Sequence, residues 1–483
     1  MDRAKRLGEG SIPFLLLTYS TPAVVGMVAQ AGYNVVDRAF VGQAVGPMGI
    51  AGTTVAFPYM LIVMAFGMLI GFGAAALISI RLGEQKKDEA ELALGNATVL
   101  LVGVAVALTV GGLLCVDPLL RLFGASDEVL PYAREYLQII ALGSIVQTVG
   151  FGLNAIIRGE GNAYIAMVTM LIGAILNTIL DPIFLFGLGW GMRGAAVATV
   201  ISQAVSTLWV LSYFLGGKSL LKLHLRALRL RRAVCLSIVA IGSPLFAMQL
   251  AGSTLNALLN HQLRIHGGDL AISAMGIVYA VALFIIMPIF GINQGAQPII
   301  GYNYGARKFD RVQRTLQLAI LVASAITVAG FAVVMVAPGR VVGLFNREDR
   351  ALLQLGTHAL RICMTMMPIV GFQIVSSSYF QAVGKPRQAM LLGLSRQVLL
   401  LIPAILILPW FFGLDGVWAA LPTADLAASI LTGVWLAVEL RHLRRRHAER
   451  SEALRRVGVA EHAARSLPQK EHAEAATRPG EPG

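Results

Sequence analysis

The sequence contains two long segments built on the same plan, 222 residues apart. A Gly-flanked segment, 73–83, is followed by a charged turn, and a second one, 295–305, is followed by another. The offset drifts by one residue between Gly161 and Gly384, which indicates one short insertion or deletion. Internal duplication of an apolar chain is typical of proteins that move a solute across a membrane.

The composition is that of a membrane protein. Hydrophobic residues make up 56% of the 483 residues and charged residues only 13%, whereas soluble domains have about a quarter charged residues. Apolar runs of roughly 20 residues recur along the chain, the length that a bilayer requires. We therefore predict an all-α polytopic membrane protein, with about twelve transmembrane helices in two pseudo-symmetric lobes of six helices each. The predicted spans cover roughly 13–42, 51–79, 94–116, 130–157, 163–187, 192–215, 235–262, 270–300, 315–338, 352–380, 387–411 and 415–440.

The distribution of positive charge predicts the orientation. The net charge is +13, and Lys and Arg collect in alternate short loops and in the tail after residue 440. Under the positive-inside rule this places both termini in the cytoplasm. The same rule explains the basic excess without nucleic acid as a partner. The predicted parts are an N-terminal lobe (1–217), a linker (218–234), a C-terminal lobe (235–440) and a basic, disordered tail (441–483) after a short helical continuation.

The linker has a helical charge pattern. Lys218, Lys222, Arg226 and Arg229 fall on one face of a helix, and most leucines lie elsewhere. We expect a basic amphipathic helix on the anionic lipids of the inner leaflet. A regulatory partner is the alternative.

A few polar residues lie inside the predicted spans, where ionisable groups are costly. Asn177 and Asp181 are four residues apart and share a helix face. At 1.5 Å per residue, Asp37, Asp181 and Thr199 all lie roughly 8–10 Å below the outer boundary of the membrane. Two carboxylates, an amide and a hydroxyl at one level can bind Na⁺ or share a proton. The predicted ion site is therefore Asp37, Asn177, Asp181 and Thr199, with Na⁺ at the two carboxylates as one possibility.

Simpler interpretations of these residues remain open. Asp37 could be an interfacial charge beside an outward-pointing Arg38. Asp181 could mark a kink at Pro182, where it would bind freed backbone donors. Asp425, which has no comparable polar cluster around it in the sequence, is expected to be structural.

Catalytic motifs are absent from the sequence. It has no Walker A sequence, nucleophile elbow or haem motif, and its three cysteines have no metal-like spacing. We therefore predict that the chain is not an enzyme and has no cofactor. Without an ATP site, uphill transport would depend on an ion.

Several motifs together resemble the multidrug and toxic compound extrusion (MATE) family of the bacterial type. They are the segments 34–42 in the first span, 177–182 in the fifth and 191–199 in the sixth, together with the paired segments 158–162 and 381–385. The resemblance implies two six-helix lobes around a central cavity and ion-coupled export of cationic or amphiphilic drugs. It also implies that acidic and polar groups of the N-terminal lobe bind Na⁺ or H⁺. By the same resemblance, Gln30, Asn34 and Asn154 lie near the substrate cavity, and Pro22 is the hinge of the first helix.

The chain departs from the family pattern at two places. Arg38 follows the first-helix acid where a small polar residue is common, and a cation there would compete with a bound ion. This shifts the expected role of proton carrier toward Asp181. The second half lacks the intramembrane acids that some members use, so no ion site is expected there.

The resulting hypothesis is a monomeric drug antiporter with small-molecule substrates and membrane lipids as its partners. A lipid-linked saccharide flippase is the first alternative. It would need a cationic cavity for pyrophosphate, for which Arg264, Arg361 and Arg396 are the few candidates. A polytopic membrane enzyme, the second alternative, would need convergent nucleophiles or metal ligands.

Overall fold

The computed structural model describes residues 3–345 and 350–466, and these residues are almost entirely helical. The first half contains α1 (Arg3–Glu9), α2 (Ile12–Ala44), α3 (Pro47–Gly83), α4 (Lys87–Leu114), α5 (Val116–Leu122), α6 (Leu130–Gly159), α7 (Ala163–Pro182) and α8 (Gly191–Leu215). The second half contains α9 (Arg232–Gly305), α10 (Phe309–Val336), α11 (Pro338–Gly343), α12 (Arg350–Cys363), α13 (Met367–Ala382), α14 (Pro386–Leu394) and α15 (Ile402–Ser466). Two π-helical turns, Ile183–Gly187 and Ser395–Leu401, follow α7 and α14.

Nine helical stretches of the described residues are long and apolar enough to cross a bilayer, and α12 with α13, bent by 51°, counts as a tenth if the pair forms one span. Two of these stretches each contain two spans, which brings the number to twelve. Helix α9 has 74 residues, or about 110 Å, which is far longer than the ~30 Å apolar core of a bilayer. It turns at Gly268, where φ is 64°, and α15 turns at Gly413, where φ is 55°, so each contributes to two spans. The predicted all-α fold with two six-helix lobes is confirmed.

The repeat extends to the backbone conformation. Gly46 and Gly268, 222 residues apart, both have positive φ, 87° and 64°, and each turns the chain between two spans. Gln85 and Arg307 have the same spacing, with φ of 63° and 56°, in the charged turns after the two Gly-flanked segments. Positive φ is rare in residues other than glycine. Its recurrence at one spacing shows that the two halves share their turns as well as their sequence.

The two lobes meet where α3 crosses α9. A methyl group on Gly83 would overlap the backbone carbonyl of Tyr302, and one on Gly305 would overlap that of Ile80. The glycines that end the two repeated segments therefore allow the two helix backbones to touch. A buried apolar cluster with residues from both lobes surrounds this contact, while each lobe has a second cluster of its own. We call the α3–α9 contact around Gly83 and Gly305 the closed end.

The prediction of an amphipathic helix in the linker is wrong. Between α8 and α9 only a single 3₁₀ turn, Leu225–Leu228, forms. The segment instead binds α4 through its backbone. The amides of Lys222 and Arg231 donate to the side chains of Glu91 (3.0 Å) and Asn96 (2.7 Å), and Asn96 Nδ2 donates to the carbonyl of Ala227 (3.1 Å). Buried side chains of α4 thus bind backbone groups that a helix would have paired internally.

The tail begins as a continuation of the last span. Helix α15 extends past residue 441 to Ser466. The predicted disorder of residues 467–483 lies outside the described residues, and the lobe boundaries at 217 and 235 stay predictions.

Candidate functional site

The polar cluster of the N-terminal lobe forms where α7 ends and α8 begins. Asp181 is the penultimate residue of α7, and its side chain is fully buried. Asn177, one turn earlier, directs its Nδ2 to Asp181 Oδ1 (3.2 Å) and to Thr199 Oγ1 on α8 (3.4 Å). The four-residue spacing read from the sequence therefore places the amide and the carboxylate side by side, with the predicted hydroxyl next to them.

Helix α2 brings the second carboxylate to this cluster. The carboxyl groups of Asp37 and Asp181 lie within hydrogen-bonding reach of each other. Two ionised carboxylates repel, so this arrangement requires a proton or a cation between them. Asp37 Oδ1, Asp181 Oδ2 and Asn177 Oδ1 are all buried and have no hydrogen-bond partner. Unpaired oxygens of carboxylate and amide groups are the ligands that a hard cation such as Na⁺ prefers, and the same carboxylates accept protons.

The simpler interpretations of the two acids fit less well. Arg38 is exposed and lies over the ring of Phe57, 5.4 Å from its centre, and the described residues include no ion pair between it and Asp37. Asp37 itself has a buried oxygen without a partner, unlike an interfacial charge. Asp181 accepts its hydrogen bond from a side chain, where a role in stabilising the kink would require backbone donors.

Two tyrosines lie close to the carboxylates and were not predicted as site residues from the sequence. Tyr33 on α2 accepts a hydrogen bond from Gln30 (2.9 Å) and lies near both acids. Tyr136 on α6 is buried near the same pair. Tyr33 precedes Asp37 by one helical turn, and this spacing could have revealed it. Tyr136 arrives from a distant part of the chain and has no local signal.

A cavity of about 480 Å³ opens between the two lobes next to this cluster. It is lined by α2, α3, α6, α7 and α8 of the first lobe and by α9 and α13 of the second. Met and Phe side chains of both lobes provide much of its apolar surface. Gln30 and Asn154 line it as expected, whereas the side chain of Asn34 lies outside the described set. Asn177 and Thr199 belong both to the cavity wall and to the carboxylate cluster.

The cavity is not the strongly cationic one that a pyrophosphate carrier needs. Arg158 is the one charged side chain that lines it within the described residues. Arg264 and Arg361 are exposed elsewhere. Arg396 is paired with Asp425, Nε to Oδ1 at 2.5 Å, which favours a structural role for Asp425.

Pro22 lies within α2, which continues through it without a break. Proline removes one helical hydrogen bond and weakens the helix there. The hinge role stays a prediction.

Comparisons with known proteins agree with this architecture. The MatE family matches residues 22–183 and 244–406, two segments whose starts are 222 residues apart and whose ends are 223 apart, as the repeat predicts. The multidrug export protein MepA of Staphylococcus haemolyticus (strain JCSC1435) is 29% identical over 425 residues, which cover 88% of this chain and 93% of that protein.

Solved structures show the same fold. DinF-BH, a MATE multidrug transporter solved in complex with R6G, is 43% identical with a TM-score of 0.84, over 90% of this chain and 98% of that one. An outward-facing multidrug resistance MATE transporter of the MOP superfamily is 27% identical with a TM-score of 0.85, over 91% and 98% of the two chains. Because the family matches both halves, the chain belongs to the MatE family and is a membrane transporter, not an enzyme.

Proposed function

We propose that this protein is a secondary active antiporter that exports cationic or amphiphilic drugs in exchange for H⁺ or Na⁺. One observation carries the proposal: Asn177 and Thr199 contact the carboxylate cluster and also line the cavity between the lobes. A proton or Na⁺ bound at the carboxylates changes the charge and hydrogen bonding of the groups that face a drug. Two ligands that share contacts in this way are coupled, and the coupling is reciprocal.

The transport cycle follows from the two lobes. The protein open to the outside takes an ion at Asp181 and Asp37 and releases its drug. Loss of the ion to the cytoplasm resets the cycle as one lobe rocks against the other. The chain acts as a monomer in a bacterial inner membrane with both termini in the cytoplasm, the orientation that the positive loops favour.

The experiment replaces the buried acid. Asp181→Asn keeps the size of the side chain but removes the ionisable group, and we expect it to abolish efflux of rhodamine 6G (R6G) and ethidium while protein levels in the membrane stay normal. Asp415→Asn is the matched control, because Asp415 is exposed and contacts only His358 among the recorded ion pairs of the described residues. Efflux at the wild-type rate by Asp181→Asn would contradict the mechanism.

A further inference from the structure

The cavity contains a buried cation that the proposed exchange does not use. Arg158, at the end of α6, has only 7% of its surface exposed and lines the cavity wall. Its guanidinium donates to Asn154 Oδ1 and lies over the ring of Phe72, 5.6 Å from its centre. No ion pair of Arg158 is recorded within residues 3–345 and 350–466. Glu160, two residues later, is instead bound by Tyr213 and Ser219.

An unpaired guanidinium in such a place is costly. Removing a charge from water costs several kcal/mol unless a counter-ion and hydrogen bonds replace the water. Asn154 and Phe72 provide one hydrogen bond and one aromatic face, while a guanidinium has five N–H donors in a planar fork. The remaining donors fit the two oxygens of a singly charged oxyanion. The cavity lining provides no such group within the described residues, because no Asp or Glu belongs to it.

The position of Arg158 separates it from the carboxylate cluster. Its partner Asn154 donates to the carbonyl of Ala166 on α7. Asn177 lies eleven residues further along the same helix, about 16 Å away. The cavity therefore has a cation toward one end and a pair of carboxylates beyond the other, with Met and Phe side chains between them.

We propose that Arg158 forms a subsite for the oxyanion of an amphiphilic substrate, a carboxylate or a phosphodiester. This inference rests on the proposed export function and narrows its substrate class. The cavity takes amphiphiles whose apolar body lies against the Met and Phe side chains and whose negative group lies at Arg158. Molecules with a positive group as well place it toward the carboxylate cluster.

Two dyes that differ at a single group test the subsite. R6G is the ethyl ester of rhodamine 19, which carries the free carboxylate on the same ring system. Binding is measured by fluorescence polarisation on purified full-length protein in detergent. We expect Arg158→Gln to raise the Kd for rhodamine 19 by about tenfold or more, which is the effect of losing a charged hydrogen bond. The Kd for R6G should change by less than about threefold, because the ester of R6G makes no ionic contact with Arg158.

Arg158→Lys is the matched control, because it keeps the positive charge but loses the planar set of guanidinium N–H donors. We expect it to retain most of the preference for rhodamine 19 over R6G. Retained R6G binding by Arg158→Gln shows that this variant is folded. An equal loss of both dyes, or no loss of rhodamine 19, would overturn the subsite.

Two further measurements distinguish a lipid from a carboxylate drug as the source of the oxyanion, and failure of the Arg158 subsite from failure of the proposed export function. Displacement of rhodamine 19 by short-chain phosphatidylglycerol supports a lipid phosphodiester as ligand, and failure to displace it supports carboxylate drugs. Wild-type protein that binds R6G but not rhodamine 19 overturns this inference alone. Wild-type protein that binds neither dye overturns the proposed function together with it.

Discussion

A single methyl group at the closed end should shift the balance between the two lobe arrangements. On Gly305→Ala the new methyl carbon would overlap the carbonyl oxygen of Ile80 and lie 2.9 Å from its carbonyl carbon. Carbon atoms in contact prefer separations of about 3.5–4.0 Å, so α3 and α9 must separate by roughly 0.6 Å or more. Packing excess atoms into a filled contact costs about 1–3 kcal/mol.

That cost applies only while the closed end is closed. The gain in helix propensity from Gly to Ala is the same in both lobe arrangements and cancels from the equilibrium between them. A penalty of 1–3 kcal/mol changes such an equilibrium by about 5- to 150-fold in favour of the arrangement with this end apart. The matching position Gly83, against Tyr302, should respond in the same way.

The assay measures the distance between the lobes. Asp88 and Asp310 are both exposed beside the closed end. After the native cysteines are replaced, spin labels at Asp88→Cys and Asp310→Cys report the distance between the lobes by pulsed electron paramagnetic resonance. Gly305→Ala should add or enlarge a long-distance population. Gly103→Ala is the control, because nothing lies within 4 Å of a methyl group there. An unchanged distance distribution for Gly305→Ala would show that the α3–α9 contact does not hold the two lobes together at this end.

Two further contacts give independent predictions. Arg396→Met should lower the free energy of unfolding by about 3–5 kcal/mol, because it leaves the buried Asp425 without its partner. Arg134→Met, which breaks an exposed ion pair, should lower it by less than about 1 kcal/mol. Equal shifts in thermal melting would contradict this. Asn96→Ala should free the linker from α4 and speed tryptic cleavage after its basic residues, while Thr98→Ala, which bonds only within α4, should not. Equal cleavage of the two variants would contradict the linker assignment.

The sequence predicts much of the fold because membrane spans and repeats leave local patterns. Hydropathy located the twelve spans, and the repeat of 222 residues read from the sequence recurs in the turns at Gly46 and Gly268. The four-residue spacing of Asn177 and Asp181 anticipated their hydrogen bond. Each of these features depends on neighbours in the chain or on a regular offset.

The features that the sequence did not reveal depend on distant contacts. The charge pattern of the linker predicted a helix, but Glu91 and Asn96 of another helix bind its backbone. Tyr136 of α6 lies near the carboxylates, and no motif in the sequence marks it. Arg158 looked like an ordinary loop charge, and only the packing of the lobes places it in the cavity wall.

The most direct test of the exchange mechanism uses purified protein in vesicles with a pH gradient and a Na⁺ gradient imposed separately. We expect at least one of the two gradients to drive ethidium transport by wild-type protein. We also expect Asp181→Asn to abolish this transport and Asp415→Asn to retain it. Transport that needs neither gradient, or that continues unchanged in Asp181→Asn, would contradict the claim that the buried carboxylates couple an ion to export.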